Sequence, residues 1–230
     1  MLPEVTLKEL KEISWRYILL DQRISSPEIF TFLQGTAPLA AIDEGGPHRS
    51  AFDYLIDTLP RLDGKVQNMI NPGLNPAPKK RRSWKEAPRK PERLLVSFGG
   101  EDPSGLTLPT LEYLIERCGF TASQLDVAEG PFFSPLELPA GVRRIQASGD
   151  LRERLSGYDC LIGSVGLTAL ESLIAGTSVI TVNPSRYHTR LSKAAGIPSA
   201  GTGPPHGGAL ARRLENFSEL KSVCRRAAET

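Results

Sequence analysis

The stretch LLVSFGGEDPSGLT, Leu94 to Thr107, constrains the fold of this chain more than any other. Leu94 to Ser97 form a continuous apolar-rich run, the mark of a strand buried on both faces, as in a parallel sheet. Gly99 and Gly100 follow; lacking a Cβ, they let the chain turn sharply with its amides bare. Asp102 and Pro103 suit the N-cap and first turn of a helix, expected over residues 104–118. Such a turn favours an anion, phosphate above all, because unpaired N–H groups and the positive end of the helix dipole point the same way. The same pair of glycines also serves as a plain strand-to-helix turn that binds nothing.

The pattern repeats downstream. Strands are expected at 125–128, 142–145, 159–162 and 178–182, and helices at 151–156, 167–175 and from about 185 to just before Gly196. From Gly208 onward the composition is helical. Upstream, a short helix is expected over 6–13, a strand over 17–20, a helix opened by Ser26 and Pro27 towards Gln34, and strands within 38–46 and 52–60. Strands alternating with helices imply parallel sheets with crossovers on their faces. The fold class is therefore α/β. Three strands make a thin first sheet, so this half reads as a truncated lobe whose open edges invite a protein partner or a second copy to complete it.

Between the halves lies NPGLNPAPKKRRSWKEAPRKPER, residues 71–93, rich in proline and basic side chains. It reads as a connector, with a grip on an anionic polymer or acidic partner as the alternative. The expected organisation is a partial N-terminal lobe (1–75), a basic linker (76–92), a complete C-terminal lobe (93–203) and a helical tail (204–230).

Hydrophobic content of 40% and charged content of 23% are those of a folded protein. A net charge of +2, from 28 basic and 26 acidic residues, is too mild for a nucleic-acid binder. No apolar run approaches the roughly 20 residues that span a bilayer, and the N-terminus lacks the order of a signal peptide. Cys118, Cys160 and Cys224 are isolated, without CxxC spacing, and read as free thiols; a cytoplasmic location is expected.

Ligands of open parallel sheets bind at the carboxyl ends of the strands, and four loops gather there: Gly99-Gly100, Gln146 to Asp150, Ser164 to Thr168 and Asn183 to His188. Thr168 and Glu171 have capping-box spacing; alternatively, Glu171 accepts hydrogen bonds from vicinal hydroxyls such as those of a ribose. In the first half, Asp43 and Glu44 close a strand, either to activate water or to cap the next turn. His48, beside Gly46, Pro47 and Arg49, is either a general base or a solvated loop histidine. No histidine or cysteine has metal-ligand spacing with another, so no metal or cofactor is expected.

The order GGEDPSGLT, then YDCLIGSVGLTALESLIAGTSVITVNPS, then a polar helix ending in AAG, resembles the C-terminal domain of nucleotide-sugar enzymes with the GT-B fold. Within that group it is most similar to the UDP-sugar hydrolase of the pseudaminic acid pathway. The lipid-linked N-acetylglucosaminyltransferase of peptidoglycan synthesis is a more distant relative. The resemblance implies two Rossmann-like lobes, a UDP-sugar substrate, and hydrolysis or transfer at the anomeric carbon in surface-glycan synthesis. It assigns the diphosphate to Gly99, Gly100 and Asp102, and phosphate and ribose to Ser164, Gly166, Thr168 and Glu171. It also implies that Gln146 and its loop face the base. Three departures stand out: the family's Gly-His-x-x-Arg segment is absent, Val165 and Leu167 flank Gly166, and Arg186 and His188 replace carboxamides directed at the sugar. A non-catalytic nucleotide-sugar-binding module or subunit is the alternative.

Overall fold

The computed structural model describes residues 12–22, 24–62, 69–70, 77–85, 88, 90–146 and 150–229. The expected helix over 6–13 lies almost wholly outside them. The chain divides into two compact units, Met1–Leu74 and Asn75–Thr230.

The first unit holds a four-stranded parallel sheet in the order β1 (Ile18–Asp21), β2 (Leu39–Ile42), β3 (Tyr54–Asp57), β4 (Met69–Ile70). Helix α1 (Pro27–Leu33) begins at Ser26, whose hydroxyl accepts the Ile29 N–H, with proline at its first position. Phe30 and Leu33 of α1 pack on Leu39, Ala41, Phe52 and Leu55, which together form the core of this unit. Between β2 and β3 a short turn, Arg49–Ala51, carries a buried cation: the Arg49 guanidinium holds Asp57 with two bonds, at 3.0 and 2.5 Å. A charge 2% exposed is tolerable only with such a bidentate partner.

The second unit is a six-stranded parallel sheet in the order β10-β9-β8-β5-β6-β7. Its strands are β5 (Leu94–Ser97), β6 (Leu125–Glu129), β7 (Arg143–Gln146), β8 (Cys160–Gly163), β9 (Ser178–Asn183) and β10 (Ser199–Thr202). Every residue of β5, β8 and β9 is buried, as the continuous apolar runs require for a sheet covered on both faces. The helices are α2 (Thr107–Glu116), α3 (Leu151–Arg154), α4 (Leu167–Ile174), α5 (Arg186–Ala194), α6 (Ala209–Glu215) and α7 (Phe217–Glu229). The strand β10 escaped the sequence reading because SAGT has no apolar run; it joins the sheet through backbone pairing with β9.

The basic, proline-rich stretch is not simply a solvated connector where it is described. The Arg82 N–H donates to the Ala175 carbonyl at 2.8 Å, and its guanidinium holds Asp159 at 2.9 Å. Asp159 also accepts the N–H groups of Glu92 and Arg93, and Lys221 of α7 donates to the Pro88 carbonyl. The stretch is thereby laced to the second unit. Helix α7 is also part of that unit: Cys224 is buried and exchanges contacts with the backbone of Val179 in β9.

Candidate functional site

The second sheet reverses its strand order between β5 and β8. At such a switch point the loops diverge to opposite faces and open a crevice at the carboxyl ends. Both loops leave from one paired position, Ser97 beside Gly163. A Cβ on Gly163 would lie 2.0 Å from the Ser97 carbonyl oxygen, so only glycine permits this approach.

After β5, Gly99 adopts a φ of +88°, and a Cβ on Gly99 or Gly100 would meet open space, while the backbone of Gly100 packs so closely on Gly130 that only glycine fits at position 130. Both are exposed, and among the described residues no acceptor takes either N–H. Asp102 corrects the sequence expectation. It is not the residue bordering the helix: α2 starts at Thr107, and Asp102, at φ 46°, reaches forward to accept the N–H groups of Leu106 at 3.0 Å and Thr107 at 2.8 Å. Residues 103–106 form a turn instead of helix because the carboxylate ties the start of α2 from that distance. A carboxylate thus occupies the place a phosphate would take at α2.

After β8 the loop Ser164-Val165-Gly166 leads into α4. Gly166 is the N-cap; its carbonyl accepts the Ala169 and Leu170 N–H groups at 3.1 and 3.2 Å, and among the described residues no side-chain oxygen caps the Leu167 and Thr168 N–H groups. The expected capping box is not formed. Thr168 and Glu171 both lie inside α4, because the helix starts at Leu167 rather than after Thr168. Asn183, wholly buried at the end of β9, holds this loop: its Oδ1 accepts the Val165 N–H at 3.2 Å. Its amide nitrogen lies 3.1, 3.0 and 3.1 Å from the hydroxyls of Thr181, Ser192 and Ser199.

Glu171 is half-buried and 3.9 Å from Arg152 of α3. Burial pushes its carboxyl above the usual range, and Arg152 acts in the opposite sense. Helix α5 opens at Ser185, which accepts the His188 N–H and lies 2.8 Å from His188 Nδ1. Arg186 and Tyr187 are exposed there, and the Tyr187 ring meets His188 edge-on. Gln146 closes β7, exposed and paired with Glu129; residues 147–149 lie outside the described set. On the loop after β6, Phe132 is 74% exposed and its N–H donates to the Gly100 carbonyl.

The fold therefore brings Gly99, Gly100, Ser164, Gly166, Arg186 and His188 to loops and helix starts after β5, β8 and β9, with Thr168 in the first turn of α4 and Glu171 further along that helix against Arg152. Of the remaining candidates, Asp102 and Gln146 lie in the second unit as described above, and Asp43, Glu44 and His48 lie in the first. Asp43, at φ 52°, accepts the Thr58 N–H at 2.8 Å and the Thr58 hydroxyl. Glu44, fully buried, accepts the Ser25 N–H and hydroxyl through Oε2 and the Gly46 N–H through Oε1. His48 stacks face to face on Phe30, with ring centroids 4.6 Å apart. Among the described residues no group of three or more His, Cys, Asp or Glu could hold a metal.

Arg152 and Phe132 escaped the sequence reading, which places Asn183 at the start of a loop rather than as the clamp on Val165. Only Asn183 left a signal, as a polar residue closing the apolar run SVITV.

This architecture is that of GT-B glycosyltransferases, built from parallel α/β sheets, in a chain shorter than theirs. One solved structure of that class is SsfS6, a glycosyltransferase of Streptomyces sp. SF2575 complexed with thymidine diphosphate. It is 19% identical with a TM-score of 0.58, over 98% of this chain and 67% of that one. CalG4, the calicheamicin glycosyltransferase, is 13% identical with a TM-score of 0.55, over 96% and 70%. SnogD of Streptomyces nogalater is 16% identical with a TM-score of 0.52, over 97% and 70%. No protein-family model matches the chain, and a search of curated proteins finds no match. Among the described residues no helix is long and apolar enough to cross a membrane.

Proposed function

We propose that this chain binds a nucleoside diphosphate sugar, UDP-linked, at the carboxyl edge of its second sheet, and acts at the anomeric carbon as a hydrolase or glycosyltransferase. One observation carries the reading: the uncapped start of α4 flanks the bare Gly99-Gly100 turn across the strand-order reversal. Donors so placed would bind a diphosphate and stabilise the charge that develops as it leaves. Thr168 and Glu171 take phosphate and ribose, the half-buried carboxylate accepting from vicinal hydroxyls. Arg186 and His188 face the sugar. Asp102 shapes the turn rather than touching phosphate, since its oxygens are committed to α2. The thymidine diphosphate in SsfS6 supports a pyrimidine nucleotide, and the resemblance to the pseudaminic-pathway hydrolase supports a role in surface-glycan synthesis in the cytoplasm.

A second reading is a nucleotide-sugar-binding subunit that depends on a partner for catalysis. The engagement of Asp43 by Thr58 and of Glu44 by Ser25 and Gly46, with His48 stacked on Phe30, favours it. Thermal unfolding with UDP, UMP, CMP, thymidine diphosphate and a UDP-sugar, alongside an assay for released UDP, tests both. Greater stabilisation by the diphosphates than by the monophosphates supports the site. Turnover separates enzyme from subunit, and no stabilisation by any nucleotide overturns both.

A further inference from the structure

At the opposite, amino edge of the second sheet lies a cavity of about 340 Å³ lined by Arg93, Asp126, Arg143, Arg144, Arg154 and Tyr158. Arg93 immediately precedes β5, Asp126 and Arg143 are paired near the starts of β6 and β7, and Tyr158 stands just before β8. Asp126 is the floor and is completely buried. Burying a carboxylate is costly unless it is paired and hydrogen-bonded, and here four donors from three side chains converge on it. Tyr158 donates at 2.7 Å, Arg93 at 3.0 Å, and Arg143 through Nε at 2.8 Å and Nη2 at 3.0 Å. Burial and the neighbouring carboxylate push the Tyr158 hydroxyl up, which keeps it a donor.

One negative charge thus holds two guanidiniums together, and each remains about half exposed on its other side. Arg144 and Arg154 stand at the rim, paired with Glu129 and Asp150. Four cations face three carboxylates, one of them spent on fixing two forks. Alongside runs the basic stretch, whose Arg82 donates to the Tyr158 carbonyl while Lys79 and Lys80 are exposed. Guanidinium forks fixed by a buried acid and open to a cavity match the geometry of a phosphate group, toward which the cluster keeps an excess of positive charge.

We propose that this amino-edge cavity is a second anion site that takes a phosphate group, separate from the nucleotide site. The phosphate belongs either to a small soluble molecule or to a lipid headgroup at a membrane surface.

Titration calorimetry with inorganic pyrophosphate, on the full chain saturated with UDP, is expected to show binding that weakens with salt. The double variant Arg144→Gln/Arg154→Gln leaves the Asp126 pairs intact and is expected to bind about tenfold more weakly, the size of one charge-assisted hydrogen bond. Arg143→Lys keeps the charge, loses the fork and is expected to weaken binding several-fold. Both variants should keep the wild-type circular dichroism. Sedimentation with phosphatidic acid vesicles, against phosphatidylcholine vesicles, assigns a lipid source; pyrophosphate binding without sedimentation assigns a soluble one. Unchanged pyrophosphate affinity in the variants, or binding of neither probe, overturns the proposal. Should UDP fail to bind, the titration is run without it, and the arginine variants test the amino-edge cavity independently of the nucleotide site.

Discussion

The side-chain oxygen of Asn183, at the end of β9, accepts the main-chain N–H of Val165, in the loop after β8. The same amide meets three hydroxyls in the interior, so the shape of the Ser164 to Gly166 loop is set from below by a buried network. Asn183→Ala leaves the Val165 N–H without its acceptor and takes one contact from each of three hydroxyls that keep others, and is expected to cost about 1–3 kcal/mol. Urea unfolding reads that loss. A second effect distinguishes positioning from stability: UDP should stabilise the variant less than it stabilises the wild type, even where both are fully folded.

Two glycines of the same loop should behave oppositely. A methyl on Gly163 meets the Ser97 carbonyl at 2.0 Å, backbone against backbone, whereas Gly166 has open space around it and an extended φ of 168°. Gly163→Ala is expected to lose at least about 3 kcal/mol or to fail to accumulate as folded protein. Gly166→Ala should stay within about 0.5 kcal/mol of wild type while weakening nucleotide binding, because the added methyl crowds the uncapped turn. Thermal unfolding with and without UDP measures both.

The basic stretch owes its place to Arg82 and Asp159. Arg82→Ala removes the 2.9 Å ion pair of two largely buried side chains and leaves Asp159 with only the N–H groups of Glu92 and Arg93. A loss of about 1–2 kcal/mol is expected, together with faster tryptic cleavage in residues 77–93. Gly176→Ala should act on the same contact from the other side, since its Cβ would lie 2.0 Å from the Arg82 carbonyl at a φ of +80°.

Glu171 carries a pH signature. Burial raises its folded pKa, with Arg152 opposing, so the folded state binds its proton more tightly than the unfolded chain does. Its contribution is most favourable at low pH and declines as pH rises from the ordinary carboxylate range through the raised value. Glu171→Gln is therefore expected to match the wild-type urea midpoint near pH 4 and to exceed it slightly at pH 7. If the carboxylate grips a ribose, UDP affinity falls in the same variant.

Cysteine reactivity offers a simple check on packing. Burial pushes the thiols of Cys118 and Cys224 up to about 11, with Glu215 adding to the effect at Cys118, and Cys160 rises as well. A thiol-disulfide reagent at pH 8 should react slowly with the native protein and rapidly with three thiols in concentrated urea.

Much of the fold was legible because its signals are local. LLVS, DCLIG and SVITV are apolar runs bounded by turn residues, and Ser26-Pro27 and Ser185 start helices through contacts within one turn. The edge to which the loops after these strands run followed from strand polarity alone. What was illegible depends on distant partners. Asp102 fits a first-turn cap by composition, yet its bonds run to Leu106 and Thr107 because the turn between them closes. The Thr168 and Glu171 spacing is that of a capping box, but a clamp 18 residues away accompanies a helix that starts earlier.

The alternation of buried strands, glycine turns and amphipathic helices in this sequence determined the α/β class and the edge on which the candidate loops collect, since both follow from backbone periodicity. The tertiary structure decided which helix start is left open, which carboxylates are consumed, and where arginines converge on Asp126. Those outcomes rest on hydrogen bonds and burial between residues far apart in the chain, whose energies depend on distance and exposure that no local pattern encodes.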